Sequence, residues 1–160
     1  MPDVVIILGS ASDESVMRLA VPYLEYFGIS YELKISSAHR QPEETAEYAK
    51  GLTARGVKVV VAAAGMAAHL PGVVASLTTL PVIGVPLSGS ELSGVDALYA
   101  IVQMPAGVPV ATVAIGSAGA RNAAVLAAQI LALSNEGIRE KLTAFKRNNC
   151  KLPAAAAERA

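Results

Sequence analysis

The chain of 160 residues has no tryptophan, two phenylalanines and a single cysteine, Cys150. One thiol excludes an internal disulfide, so packing alone must hold the fold, and a reducing cytoplasm is the expected compartment. Charge is scarce as well. Asp, Glu, Lys and Arg make up 16% of the residues, against about 25% in typical soluble domains. The 13 basic and 13 acidic residues cancel, and neither sign forms a run. That excludes the electrostatic footprint of a nucleic-acid binder or of a protein held on an anionic membrane. The longest apolar stretch, residues 59–68 with glycine counted, falls far short of the roughly 18 residues of a spanning helix. Met1-Pro2-Asp3-Val4 has no basic segment of the kind that opens a secretory signal. With only His39, His69 and one cysteine, no ligand-spaced cluster for a metal exists, and no Ser-His-Asp or Cys-His nucleophile arrangement stands out.

What is present is an alternation of apolar runs and helix-period segments. Val4-Val5-Ile6-Ile7-Leu8 is an unbroken β-branched and leucine run, as expected of a central strand buried on both faces. Further strands are expected over residues 30–35, 57–63, 81–86 and 110–115. Helices are expected over residues 14–27, 42–54, 73–77, 94–102 and 118–133, with Gly28 closing the first and Pro42 opening the second. Pro22 falls inside the first helix and predicts a kink there or packing that tolerates it. Ser134 is the expected cap of a last helix that carries Ile138, Leu142 and Phe145 on one face. The ten residues after it read as a frayed tail.

Five strands alternating with helices predict a three-layer α/β/α domain: a parallel, flavodoxin-like sheet of order 2-1-3-4-5 with right-handed crossovers. Residues 1–133 form the domain, and residues 134–160 are a helical extension of it. In such a sheet ligands bind beyond the carboxyl ends of the strands, where the strand order reverses. The loops after strands 1, 2 and 3 then converge, and both histidines lie in them. The low charge fraction, in a chain that is 53% hydrophobic, fits burial of surface between copies of the chain; an alanine-rich core is the plainer alternative.

The first of these loops, Gly9-Ser10-Ala11-Ser12-Asp13, joins a strand to a helix N-terminus, which suits an anion. Asp13 can take a ribose diol. Ser12 or Asp13 equally suits a plain helix cap. The loop has neither the glycine spacing of the dinucleotide fingerprint nor the lysine of a P-loop. In Ser36-Ser37-Ala38-His39-Arg40-Gln41-Pro42, the hydroxyl of Ser37 and the planar fork of Arg40 suit a phosphate monoester. Arg40 also suits a surface site over the second helix. His39, between them, is the candidate acid/base, because a histidine with its unperturbed pKa of about 6.5 both accepts and donates protons near neutrality. His69 opens the third helix, where it either orders the loop or meets the substrate. The residues alone thus predict a phosphorylated, ribose-bearing small molecule, proton transfer by histidine, and no cofactor.

Taken together, Gly9-Ser10-x-Ser12-Asp13, Ser37-Ala38-His39-Arg40-x-Pro42, Ala64-Gly65-x-Ala67-Ala68-His69-Leu70-Pro71-Gly72, Leu80-Pro81-Val82-Ile83-Gly84-Val85-Pro86 and residues 101–114 resemble the bacterial carboxyaminoimidazole ribonucleotide mutases of purine biosynthesis. The likeness runs from about residue 4 to residue 133. It implies a homo-octamer that moves a carboxylate from the exocyclic N5 to ring carbon C4 of an aminoimidazole ribonucleotide, without metal, ATP or biotin. It further implies His39 as general acid/base. Ser10, Ser12, Asp13, Ser37 and Arg40 would hold the ribose phosphate, with Ala38 also among the substrate-binding positions. Gly65, Ala67, His69 and Leu70 would line the pocket for base and CO2. A related carboxylase that uses free CO2 typically has Lys at position 40 and lacks the pattern Ala67-Ala68-His69-Leu70, so Arg40 and that pattern favour the mutase. A non-catalytic nucleotide or flavin binder on the same fold is the distant alternative. Met66 stands where the family usually has glycine, and a positive φ there would strain it.

Overall fold

Strand β1, Val4–Leu8, has no accessible side chain. Its two neighbours, β2 (Tyr31–Ile35) and β3 (Val59–Gly65), both run parallel to it, with Val4 opposite Tyr31 on one side and Val59 on the other. Strands β4 (Val82–Leu87) and β5 (Ala111–Thr112) extend the sheet beyond β3, giving the order β2-β1-β3-β4-β5 that the sequence predicts. The computed structural model describes residues 1–157.

Each strand alternates between two apolar layers because successive side chains point to opposite faces. Val4, Ile6 and Leu8 lie with Val61, Ala63, Ile83 and Val85 in one layer. Four helices cover that layer: α1 (Glu14–Met17), α2 (Val21–Phe27), α6 (Ser117–Leu131) and α7 (Glu136–Arg147). Val5, Ile7, Val60 and Ala62 lie in the other layer, beneath α3 (Pro42–Gly51), α4 (Leu70–Leu77) and α5 (Val95–Val102). Close approach is needed at Gly84 in β4, where a Cβ would stand 2.4 Å from Ile101 Cγ2 and 2.7 Å from Val110 Cγ1. A side chain there would push α5 off the sheet.

The first helix is broken as Pro22 predicts. α1 gives way to a 3-10 turn at Arg18–Ala20, and α2 restarts with Pro22 in its first turn, where the missing N–H has no intrahelical role. Gly28 ends α2 in the left-handed region at φ 74°.

Three expectations shift. β5 is two residues long instead of six, because proline interrupts the ladder. Pro86 in β4 accepts from Gly116 N through its carbonyl at 2.8 Å on the β5 side, but has no N–H to donate there. The cap of α7 is Asn135 rather than Ser134; its side chain accepts from Ile138 N at 3.1 Å. And α4 starts at Leu70, three residues earlier than the apolar spacing suggests. Within the tail, Ala154–Ala157 forms a short helix, α8; the expectation for residues 158–160 lies outside the described residues.

Candidate active site

The loop after β1 is set by Ser10. Its backbone is extended, and its hydroxyl accepts from Ser12 N at 3.3 Å and from Ser12 Oγ at 2.9 Å, capping a 3-10 turn over Ala11–Asp13. Capping therefore falls to Ser10, and Asp13 makes no cap hydrogen bond at the start of α1. Burial pushes the Asp13 carboxyl above its ordinary value; hydrogen bonds from the Ser10 backbone and the Ser12 hydroxyl oppose the shift.

The loop after β2 is tied down at its base. Ser36 N donates to Leu8 O at 2.8 Å, and the fully buried Ser36 hydroxyl lies 2.7 Å from Thr45 Oγ1. Thr45 Oγ1 donates to Gln41 O at 2.8 Å, which leaves Ser36 as the donor to Thr45. Above this pair, Gln41 N donates to Ser37 O at 2.8 Å and Arg40 N to Ser37 Oγ at 3.3 Å. The turn so pinned presents His39 and Arg40 outward. Among the described residues Arg40 has no ion-pair partner.

The loop after β3 begins at Gly65, where a Cβ would meet Leu87 O at 3.3 Å. Met66 follows at φ 55°, so methionine does hold the left-handed conformation that favours glycine. Two tight turns, Ala68 N to Met66 O at 2.9 Å and His69 N to Ala67 O at 2.7 Å, lead into α4. His69 stands at the N-cap position without a side-chain cap bond. Its Nδ1 instead lies 2.7 Å from His39 Nε2, with the rings 88° apart in plane and 4.9 Å between centroids.

A hydrogen bond between two imidazole nitrogens holds one proton, donated by one ring and accepted by the other. The outer nitrogens, His39 Nδ1 and His69 Nε2, are then the pair's free positions. In the neutral pair one of them carries hydrogen and the other is basic. A proton taken up at one outer nitrogen can be balanced by transfer across the contact, so the pair can act as a single acid/base unit.

The three loops enclose an open pocket of about 380 Å³, within the usual range for small-molecule sites. The structure brings every predicted site residue to it: Ser10, Ser12 and Asp13 from the first loop, Ser37, Ala38, His39 and Arg40 from the second, and Gly65, Ala67, His69 and Leu70 from the third. Gly9, Ala64 and Met66 complete those walls. Gly89, in the loop after β4, also lines the pocket and was not anticipated. Its signal was the strand order, since the end of β4 lies beside the end of β3. The buried Ser36–Thr45 pair was missed too; it shapes the site without lining it.

A parallel 2-1-3-4-5 sheet with hydroxyls, a guanidinium and paired imidazoles across its switch point defines a flavodoxin-like protein whose pocket carries groups suited to small-molecule acid/base chemistry. More narrowly, residues 3–151 match the AIR carboxylase family, and the chain belongs to it. It is 55% identical over 141 residues to the N5-carboxyaminoimidazole ribonucleotide mutase of Vibrio vulnificus, covering 88% of each chain. It is 56% identical over 146 residues to the enzyme of the same name from Thermotoga maritima, covering 91% of this chain and 84% of that one. Among solved structures, Treponema denticola PurE superposes with a TM-score of 0.83 at 30% identity, over 92% of this chain and 90% of its own.

Proposed function

We propose that the chain is a mutase of de novo purine biosynthesis. It moves the carboxylate of 5-carboxyaminoimidazole ribonucleotide from N5 to C4, giving 5-aminoimidazole-4-carboxylate ribonucleotide. The observation that carries this reading is the His39–His69 contact at 2.7 Å inside the pocket formed by the three loops, in a chain whose relatives at 55% identity bear that enzyme's name.

The reaction needs one proton supplied and one removed. The N5–carboxylate bond breaks, CO2 leaves, and nitrogen takes a proton. Carbon C4 of the aminoimidazole then attacks CO2, forming the new carbon–carbon bond, and C4 loses its hydrogen as a proton. A single acid/base group serves both ends. His39 is that group, working from Nδ1 because Nε2 is engaged by His69. Arg40 and the hydroxyls of Ser10, Ser12 and Ser37 hold the phosphate, while Asp13 accepts from the ribose. Ala67, Gly65 and Leu70, the last of them buried, line the part of the pocket that takes the base and CO2 with small and apolar groups. The reading includes a homo-octamer working in the cytoplasm without metal or cofactor. The 16% charge fraction supports assembly. Among the described residues no helix is long and apolar enough to cross a membrane.

Conversion of the carbamate to the C4 carboxylate by purified protein is the test. His39→Asn is expected to keep ribonucleotide binding while turnover falls about 10²–10⁴-fold. Near-normal turnover in that variant removes His39 from the role. Efficient carboxylation of aminoimidazole ribonucleotide by dilute CO2, with no carbamate turnover, assigns the carboxylase reaction instead. Tightly bound flavin, seen as yellow protein, assigns a binder.

A further inference from the structure

Four non-glycine residues among the described ones have a positive φ: Met66, Ser93, Asn149 and Cys150. Met66 alone of these lines the pocket between the three loops. Its φ of 55° is a conformation that glycine takes freely and methionine takes at a cost. Burial does not offset that cost in the ligand-free protein, because the side chain is 63% exposed. An exposed apolar side chain alone means little. One held at the mouth of a pocket by a strained backbone points to a task there. The backbone around it is fixed. Met66 O accepts from Ala68 N at 2.9 Å, and Ala67 O accepts from His69 N at 2.7 Å. Gly65, just before it, lies so close to β4 that a Cβ would stand 3.3 Å from Leu87 O. The part left free to move is the methionine side chain, which is long, unbranched and adaptable.

We infer that Met66 is the cover of the pocket: its side chain folds over the bound aminoimidazole ring and keeps released CO2 beside C4 until the new bond forms. The inference rests on the carboxylate transfer proposed above and names the residue that prevents loss of the group in transit. That transfer has a weak point. After the N5–carbon bond breaks and before the C4–carbon bond forms, no covalent bond holds CO2, and the pocket is open.

Few of the lining side chains suit that task. Only Met66 and Leu70 are both apolar and longer than alanine. Leu70 is 3% exposed and belongs to the wall. The long polar ones, His39 and His69, are held to each other at 2.7 Å. Met66 stands between Gly65 and Ala67, on the loop assigned above to the base and CO2. A thioether packs favourably against an aromatic ring, and the aminoimidazole presents one. Contact with the ligand would thus return what the exposed side chain and the strained backbone forgo in the free protein, which is how a local cost is retained at a functional site.

The test follows the carboxyl carbon. The full chain is given carbamate labelled isotopically at its carboxyl carbon, in unlabelled bicarbonate. Label in the C4 carboxylate and release of aminoimidazole ribonucleotide are measured together at initial rate, less the rates without enzyme. Met66→Ala keeps the restricted backbone and removes the reach. It is expected to release aminoimidazole ribonucleotide severalfold more often per carboxylate formed, and to lose label to solvent CO2. Met66→Gly is expected to do the same, and Met66→Leu to stay close to wild type. Wild-type retention in Met66→Ala overturns the inference, and so does Met66→Leu that leaks as much as Met66→Ala. A second readout needs no turnover. Hydrogen peroxide passes one oxygen atom to an exposed thioether, leaving sulfoxide and water. Peptide mass spectrometry follows Met66 sulfoxide, with free methionine in the same tube as reference. Saturating aminoimidazole ribonucleotide is expected to slow oxidation of Met66 severalfold, and equal rates overturn the cover. Protection of Met66 without carbamate conversion refutes the reaction and leaves the cover standing; conversion without protection does the reverse.

Discussion

Met66 holds a backbone conformation that costs a side chain about 1–2 kcal/mol, and its own side chain recovers little of that, being 63% exposed at the pocket mouth. Met66→Gly is therefore expected to stabilise the protein by about 1 kcal/mol, less the backbone entropy that glycine loses on folding. Chemical denaturation with an unchanged m-value measures it. Asp13 carries a second cost. Its carboxyl is pushed above 3.8 in the folded state, so the folded protein holds that proton more firmly than the unfolded chain does. The resulting stability is fully present below the ordinary pKa and is lost as pH rises through the raised value. At neutral pH the charged Asp13 thus opposes folding of the ligand-free protein. Asp13→Asn is expected to raise Tm at pH 7 and to make little difference near pH 3, read by thermal scans at both. That a residue opposes stability where it meets solvent and pocket together fits a site arranged for a ligand. The candidate residues themselves were legible in the sequence, because strand-end loops of an open parallel sheet have a known place. The contact of His39 with His69 was not: it joins two loops thirty positions apart, and only the turns at Ser37–Arg40 and Met66–His69 aim the rings at each other.

At the scale of elements, the tightest constraint is the seat of α5 on β4. Gly84→Ala places a methyl group against Ile101 and Val110, and overpacking of this kind costs about 1–3 kcal/mol. The expected result is a lower midpoint of denaturation. The strands were read correctly where they are central, since β-branched runs such as Val59-Val60-Val61 have few other uses. The edge strand is less legible. Residues 110–115 have the composition of a strand, but the lost donor at Pro86 shortens the ladder to Ala111–Thr112. The break between α1 and α2 was legible because proline acts locally. The choice of Asn135 over Ser134 as the cap of α7 was not, because both residue types cap well.

For the whole molecule, α7 decides whether residues beyond 133 are an appendage or part of the domain. Phe145 is 3% exposed and packs edge-on to Phe27 and Tyr23, with ring centroids 5.5 and 6.1 Å away. Phe145→Ala is expected to cost about 3–5 kcal/mol, measured as a fall in unfolding free energy within one cooperative transition. A separate, early transition of the C-terminal part would mark it as an appendage. The aromatic poverty of the chain sharpens the point, since both of its phenylalanines stand in this one cluster.

The parallel sheet also sets a schedule for synthesis. β1, the strand with no accessible side chain, precedes both of its partners in the chain. β2 follows at Tyr31, and β3 begins only at Val59. At about 5–20 residues per second, a ribosome leaves β1 without its second neighbour for roughly 3–10 s. No hairpin can shelter it in that interval, because every strand pairing here is parallel and waits for a crossover. The segment most hidden in the finished protein is thus the one most exposed while the chain is being made. A nascent-chain chaperone that favours short apolar segments would find its target at Val4–Leu8.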